Sequence, residues 1–325
     1  MTDEIENSVT KDPEQRLRLL REAAEHGISY AQLELAFHYG DLFERHRYLG
    51  GERYGTPAIY WLRMAAAQDC NFSQYLLGYL YCEGRMTKKN PEEAIYWLLK
   101  AAENGQLEAQ FTLGKCYHHG EMVDKNHAQA IYWYRQCADI NSQAQYALGS
   151  IYHHGEMDEK NCEQALFWYH KAAADDSGDA QYALGLLYHH GDMVEKDITQ
   201  AFSWYYKAGK NGNVDARKSL AKCYENGRGV KKDLEQAFYW YDVASADGDS
   251  ESRYALGRCY LLGKGVRQDF GQAVWWLESA ACDATNCDDK KLIKKIKKLM
   301  AASDAPLSLQ LVRLLNPKAD ELTEL

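Results

Sequence analysis

Seven tryptophans, Trp61, Trp97, Trp133, Trp168, Trp204, Trp240 and Trp276, recur at intervals of 36, 36, 35, 36, 36 and 36 residues along a chain of 325. So regular a period requires one supersecondary unit to be built again and again, and about three dozen residues is the size of a helical hairpin. Each Trp lies in the pattern A-x-x-W-x-x-x-[AC], as in Ala94, Trp97 and Ala101 or Ala237, Trp240 and Ala244. Spacings of three and four place these side chains on one stripe of a helix, termed here helix B.

The start of helix B is marked in nearly every copy. Asp12, Asn90, Asn126, Asn161, Asp197, Asp233 and Asp269 are each followed three residues later by Gln or Glu, from Gln15 and Glu93 to Gln272. This is a capping-box spacing, which predicts reciprocal hydrogen bonds at both ends of the first turn. Pro13 and Pro91 occupy the first helical position, where a missing N–H costs nothing. Gly27, Gly105, Gly212 and Gly248 are placed to end the helix in a left-handed turn.

A second pattern, L-G-x-x-Y-x-x-G, defines helix A. It is seen at Leu77, Gly78, Tyr81 and Gly84 and again at Leu113, Gly114, Tyr117 and Gly120; it recurs around Gly149, Gly185 and Gly257, with Ala36 and Ala221 replacing the first glycine. Glycine inside a helix costs about 1 kcal/mol, so its repetition implies a close neighbour. The preceding helix B is the expected one, with Trp packing across the Leu–Tyr face.

Together these motifs resemble the Sel-one-like repeats, relatives of the tetratricopeptide repeats with a slightly longer unit. The resemblance implies an all-α, right-handed α-solenoid of seven helix-turn-helix repeats over residues 29–282, with helical caps at both ends. The repeats are expected at 29–70, 71–105, 106–140, 141–176, 177–212, 213–248 and 249–282. Residues 1–28 form a tail and a capping half-repeat, with Leu19 in the Trp phase. Residues 283–325 hold capping helices near 288–302 and 306–315. Repeats six and seven keep G-x-G-V-x-x-D, as Gly227, Gly229, Val230 and Asp233 and as Gly263, Gly265, Val266 and Asp269. Met86, Met122, Met157 and Met193 stand where the second glycine belongs, which predicts a different backbone in those four loops. Ala36 to Trp61 spans 25 positions against 19 in later copies, so residues 40–55 are expected to protrude as a loop.

A net charge of −9 and a pI near 5.7 argue against a general nucleic-acid binder, which needs cations to neutralise phosphates. The N-terminus, MTDEIENSVT, has no cationic start, and no run of about 18 apolar residues occurs, so a cytoplasmic location is expected. Of nine cysteines, Cys116, Cys223 and Cys259 share the apolar phase of Leu80, Ile151 and Leu187. That usage marks reduced, buried thiols, with Cys282 and Cys287 as the candidate exception.

The resemblance places the A helices on a concave groove, where a peptide or partner protein would bind. Helical spacing then gives the residues facing it. Three before the glycine phase come Tyr75, Phe111, Tyr146, Tyr182 and Tyr254, with Leu33 and Lys218; one after it come Phe37, Tyr79, Lys115, Ser150, Leu186, Lys222 and Arg258. An aromatic ladder edged by cations suits a protein guest. Aromatic residues at this phase can equally pack against the next repeat.

Three successive repeats also carry His pairs, His118–His119, His153–His154 and His189–His190, at the end of helix A. A metal site is disfavoured, because adjacent histidines on a helix point about 100° apart and zinc needs nitrogens at about 2.0 Å. A histidine in the last helical turn complements the exposed carbonyls. A His-lined surface responding to metal or pH is the alternative function. KKLIKKIKKLM at 290–300 forms a basic amphipathic helix, expected to cap the last repeat, with membrane-surface contact as the alternative. No phosphate loop, nucleophile elbow or H-E-x-x-H motif occurs, and neither Cys137 nor Cys162 has an evident base, so neither an enzyme nor a cofactor is expected. The expected function is a protein-interaction scaffold.

Overall fold

The computed structural model describes residues 13–48, 50–155, 161–287 and 289–301. Among the described residues there are sixteen helices and no strand. The chain divides into two compact units, Met1–Asn161 and Cys162–Leu325. The first contains α1 (Pro13–Glu25), α2 (Ser29–Arg45), α3 (Glu52–Ala66), α4 (Asn71–Glu83), α5 (Pro91–Glu103), α6 (Leu107–His119), α7 (His127–Cys137) and α8 (Ser142–His154). The second contains α9 (Cys162–Ala174), α10 (Gly178–His190), α11 (Ile198–Lys210), α12 (Val214–Asn226), α13 (Leu234–Ala246), α14 (Ser250–Leu262), α15 (Phe270–Asn286) and α16 (Lys290–Ala301). Even-numbered helices from α2 to α14 are A helices; α1 and the odd-numbered helices are B helices.

The glycine of helix A does face a helix B, but the one that follows it. A Cβ on Gly78 would meet Leu98 Cγ at 2.8 Å, and on Gly114 it would meet Tyr134 Cδ1 at 2.5 Å; Gly185 and Gly257 stand in the same relation to Tyr205 and Leu277. The bulky partner is the residue just after each Trp, so the glycine closes the hairpin rather than the joint between hairpins. Tyr134 and Tyr205 are fully buried there. Trp97, Trp133, Trp168 and Trp240 are buried alongside, whereas Trp61, Trp204 and Trp276 are half-buried.

The joint between hairpins is made by a buried amide that no motif above identified. Gln32, Gln74, Gln110, Gln145 and Gln181 each donate Nε2–H to the carbonyl at the end of the preceding helix B, of Ala24, Ala66, Ala102, Ala138 and Ala173, at 2.7–3.1 Å. The carbonyls of Ala24, Ala66 and Ala102 also accept a backbone N–H of the turn that follows, so there the amide occupies a second lone pair and ties the next hairpin to the helix end.

Only half of the capping box is used at four of the predicted sites. Asn90, Asn126, Asp233 and Asp269 accept from the backbone N–H three residues on, at 3.0–3.2 Å. The reciprocal bond does not form, because the cap N–H already donates to the carbonyl of the helix A tyrosine: Asn90 to Tyr81, Asn126 to Tyr117, Asp233 to Tyr224 and Asp269 to Tyr260. Glu93 is thereby released to accept from Trp97 Nε1 at 2.9 Å and to pair with Arg63. Asp12 lies outside the described residues.

Two loop expectations are overturned. Met86, Met122 and Met193 have φ of 63°, 70° and 63°, the same left-handed backbone as Gly229 and Gly265 at 71° and 72°. The loop therefore keeps one shape and tolerates a left-handed non-glycine residue, at about 1–2 kcal/mol each. Met86 and Met122 regain part of that cost by packing on the core. Met157 lies outside the described residues. The six-residue insertion is mostly helical rather than a loop: α2 and α3 lengthen to 17 and 15 residues and absorb most of residues 40–55, with Tyr48 in the turn between them 92% exposed. Gly51 and Gly55 are buried, the latter against the backbone of Met86.

At the C-terminal end Leu292, Ile296 and Met300 of α16 are buried in a cluster with Leu277, Ala280, Ala281 and Ala284 of α15. The apolar face of the lysine-rich helix is thus occupied by the last hairpin. The second predicted cap, near 306–315, lies outside the described residues. All nine cysteines are free, including Cys282 and Cys287.

Gly265 provides a direct test of the loop geometry. A Cβ there would lie 1.9 Å from the Leu234 carbonyl oxygen, on a backbone already at positive φ. Gly265→Ala is expected to destabilise the chain by about 2 kcal/mol or more, from overpacking plus left-handed strain. Chemical denaturation of the variant against the parent reads this as a lower midpoint.

Candidate binding surface on the A helices

The first unit brings three of the predicted contact residues into one aromatic cluster. Ring centroids of Tyr75 and Tyr79 lie 6.1 Å apart, and Phe72 bridges Tyr75 at 6.4 Å to Phe37 on the neighbouring A helix at 6.2 Å. Phe37 is 45% and Phe72 42% exposed, so the cluster presents ring surface to solvent. Nothing in the glycine-phase count marks Phe72; it lies three residues before Tyr75 on the same stripe, a spacing that an extended count would have reached.

The other predicted aromatics are half-buried. Phe111 packs on Tyr134 at 5.8 Å and Tyr182 on Tyr205 at 5.6 Å. Burial pushes the Tyr75 and Tyr182 phenols above their ordinary pKa. Phe111 and Tyr182 therefore serve the packing of their own hairpins as well as the surface. Tyr146 and Tyr254 are likewise half-buried.

Among the predicted cations, Lys115 and Lys222 are exposed. Lys222 lies 3.9 Å from Glu251, and Lys218 pairs with Asp249 at 3.0 Å and Asp215 at 3.2 Å. Arg258 is engaged internally: its Nη2 donates to both oxygens of Glu225, at 2.6 and 2.8 Å, and Glu225 accepts from the buried Tyr241 hydroxyl at 2.9 Å. Burial raises the Tyr241 pKa, and the neighbouring Glu225 charge adds to it. Arg258 thus belongs to the packing between repeats. Leu186 is half-buried.

The His pairs end α6, α8 and α10. Their rings lie side by side rather than diverging: centroids are 4.7 Å apart for His118–His119, 4.9 Å for His153–His154 and 5.0 Å for His189–His190. The first of each pair is half-buried and the second exposed. His118 also approaches His127 at 5.7 Å and Tyr134 at 6.1 Å. His154 Nδ1 lies 2.8 Å from the Ser150 carbonyl, a bond that satisfies a last-turn acceptor. Among the described residues no group of three His, Cys, Asp or Glu side chains is arranged to hold a metal ion. Cys137 is buried, and its thiol is pushed up to about 11, the opposite of a nucleophile's requirement. No described helix is long and apolar enough to cross a membrane.

Because Glu225 and Arg258 are both largely covered, breaking this pair leaves a charge without its partner. Arg258→Met is expected to cost about 2–3 kcal/mol of stability, while Lys222→Met, at an exposed site, should leave thermal unfolding nearly unchanged. Calorimetric or circular-dichroism melts of the two variants measure the difference.

Comparison with known proteins agrees with this geometry. Eight segments match the Sel1 repeat, at residues 6–28, 29–70, 71–106, 107–141, 142–177, 178–213, 214–249 and 250–283. A Sel1 repeat protein from Oxalobacter formigenes is 33% identical over 76% of this chain and 96% of its own length, with a TM-score of 0.60. A protective antigen of uropathogenic Escherichia coli strains, displaying an SLR fold, is 30% identical over 81% of this chain, with a TM-score of 0.68. The present chain spans 56% of that protein's length. No curated protein gives a significant match. With eight segments matching the repeat over most of its length, this chain belongs to the Sel1 repeat proteins.

Proposed function

We propose that this chain is a scaffold that holds a peptide or partner protein against its A helices. Sel1 repeat proteins generally mediate protein–protein interaction. The observation that carries the reading is the solvent-facing cluster of Phe37, Phe72, Tyr75 and Tyr79. Aromatic rings already packed against one another lose little side-chain freedom on binding, so contact area converts into affinity efficiently. Phe111, Lys115 and Tyr146 would extend the surface in the first unit. Tyr182, Leu186, Lys222 and Tyr254 would supply it in the second, while Arg258 is assigned to packing. The cytoplasm remains the proposed location.

Affinity capture from the native cell extract, read by mass spectrometry, should recover a partner with the parent chain. The Phe37→Ala/Phe72→Ala/Tyr79→Ala variant should lose that partner while keeping its helicity. Equal recovery by the variant would place binding elsewhere.

A second reading, a response to pH through the histidines, is favoured by the environment of His189. Burial lowers its pKa below 6.5, and the nearby charges of His190, Lys196 and Arg228 lower it further. Burial likewise lowers His38, beside Arg21, Asp41 and Arg45, and His170, beside Lys207. A histidine that resists protonation when folded takes a proton more readily when unfolded, so its contribution is present above about pH 6.5 and is lost as pH falls through the folded value. Melting temperature should therefore drop between pH 7.5 and 5.5, and the drop should shrink in His38→Gln/His170→Gln/His189→Gln. An unchanged drop would assign the acid sensitivity to other groups.

A further inference from the structure

In the first unit a cavity of about 880 Å³ opens beside the C-terminal half of α2. Its apolar walls are Leu17 and Leu20 of α1, Ala58 and Leu62 of α3, and Leu76 and Leu80 of α4. Two local features leave it open. The wall contributed by α2 includes the small residues Ala36 and Gly40, and the connection after α4 brings up Met86, whose methyl and sulfur would lie 3.3 and 3.9 Å from a Cβ on Gly40. Sites for small molecules span roughly 300–1,000 Å³, and this cavity lies in that range, with apolar inner walls below a charged rim.

The rim decides the chemistry of the guest. Arg16 pairs with Glu34 at 3.2 Å, Arg85 with Glu44 at 2.9 Å, and Asp41 with Arg45 at 2.7 Å. His38, the remaining titratable group on the rim apart from Tyr79, is held toward its neutral form by burial and by Arg21. A charged guest would have to break one of these pairs and carry its own charge between leucines, which is costly. An uncharged guest disturbs none of them. The first two pairs also tie α1 to α2 and α2 to the connection after α4, bridging the flanks of the opening, so a compact molecule suits it better than an extended chain.

We infer that this cavity is a binding site for an uncharged, largely apolar small molecule, adjoining the scaffold surface with which it shares Phe37 and Tyr79. The test uses the full chain and two fluorescent probes: neutral N-phenyl-1-naphthylamine and anionic 1-anilinonaphthalene-8-sulfonate. Gly40→Leu fills the space. Its Cβ would meet only the flexible end of Met86, and Leu is a better helix former than Gly by about 1 kcal/mol. Leu17→Glu instead puts a charge on the wall, so one variant remains informative if the other does not fold. Tyr96→Ala and Tyr132→Ala remove exposed rings from helix B, outside the cavity.

The expected result is saturable one-to-one binding of the neutral probe to the parent, weakened by about tenfold or more in Gly40→Leu and Leu17→Glu at unchanged helicity. Binding should persist in Tyr96→Ala and Tyr132→Ala, with the anionic probe weaker than the neutral one. Absence of saturable binding, equal affinity in Gly40→Leu and Leu17→Glu, loss in the tyrosine variants, or preference for the anionic probe would each overturn the inference.

Discussion

The hairpins depend on one close approach, between the helix A glycine and the side chain that follows Trp on the next helix. With no Cβ at Gly78, Gly114, Gly185 or Gly257, the opposing Leu or Tyr lies directly on the backbone of helix A. The alanines of helix B complete the contact: Ala94, Ala101, Ala130 and Ala273 are fully buried. Small residues on both helices let two backbones come together and exclude water from the whole seam. Ala36 and Ala221 replace the glycine at two hairpins and are themselves buried. A single methyl is therefore the largest group found at this position in the described A helices.

The architecture was legible because it is periodic. Trp spacing, Asx caps and terminal glycines each repeat, and every repetition confirms the phase of the others. What the period could not show was which neighbour each position meets. Gly78 could be assigned to a close contact but not to Leu98 rather than the preceding helix, since both lie within one period. The reciprocal half of the capping box failed for a similar reason: the tyrosine carbonyl that competes for the cap N–H belongs to the paired helix and has no local signature. Methionine at positive φ was unreadable because residue preference reports the average cost of a conformation, while the surrounding loop fixed it here.

The candidate surface was only partly legible. Facing positions follow from helix geometry, so Phe37, Tyr75 and Tyr79 were found. Their neighbour Phe72 was not, and two of the cations, Arg258 and Lys218, are engaged by acids while Lys115 and Lys222 stay exposed. Arg258 is answered by Glu225, 33 residues earlier, and Lys218 by Asp249, 31 residues later. Ion pairs across a repeat joint sit almost one period apart, where a scan for local charge patterns does not look.

The position of the joint amide changes character along the chain. Five joints use the neutral amide of Gln32, Gln74, Gln110, Gln145 and Gln181; at the same phase Arg217 keeps the contact by donating Nε–H to the Gly209 carbonyl at 3.0 Å, and Arg217 and Arg253 also pair with Asp247 and Asp283 of the helix B that closes their own hairpins. Dissolved salt screens ion pairs between partly exposed groups and leaves neutral buried amide contacts nearly untouched. Rising ionic strength therefore acts unevenly on this protein, loosening the charged contacts inside the last two hairpins while the amide clamps nearer the amino terminus stay firm.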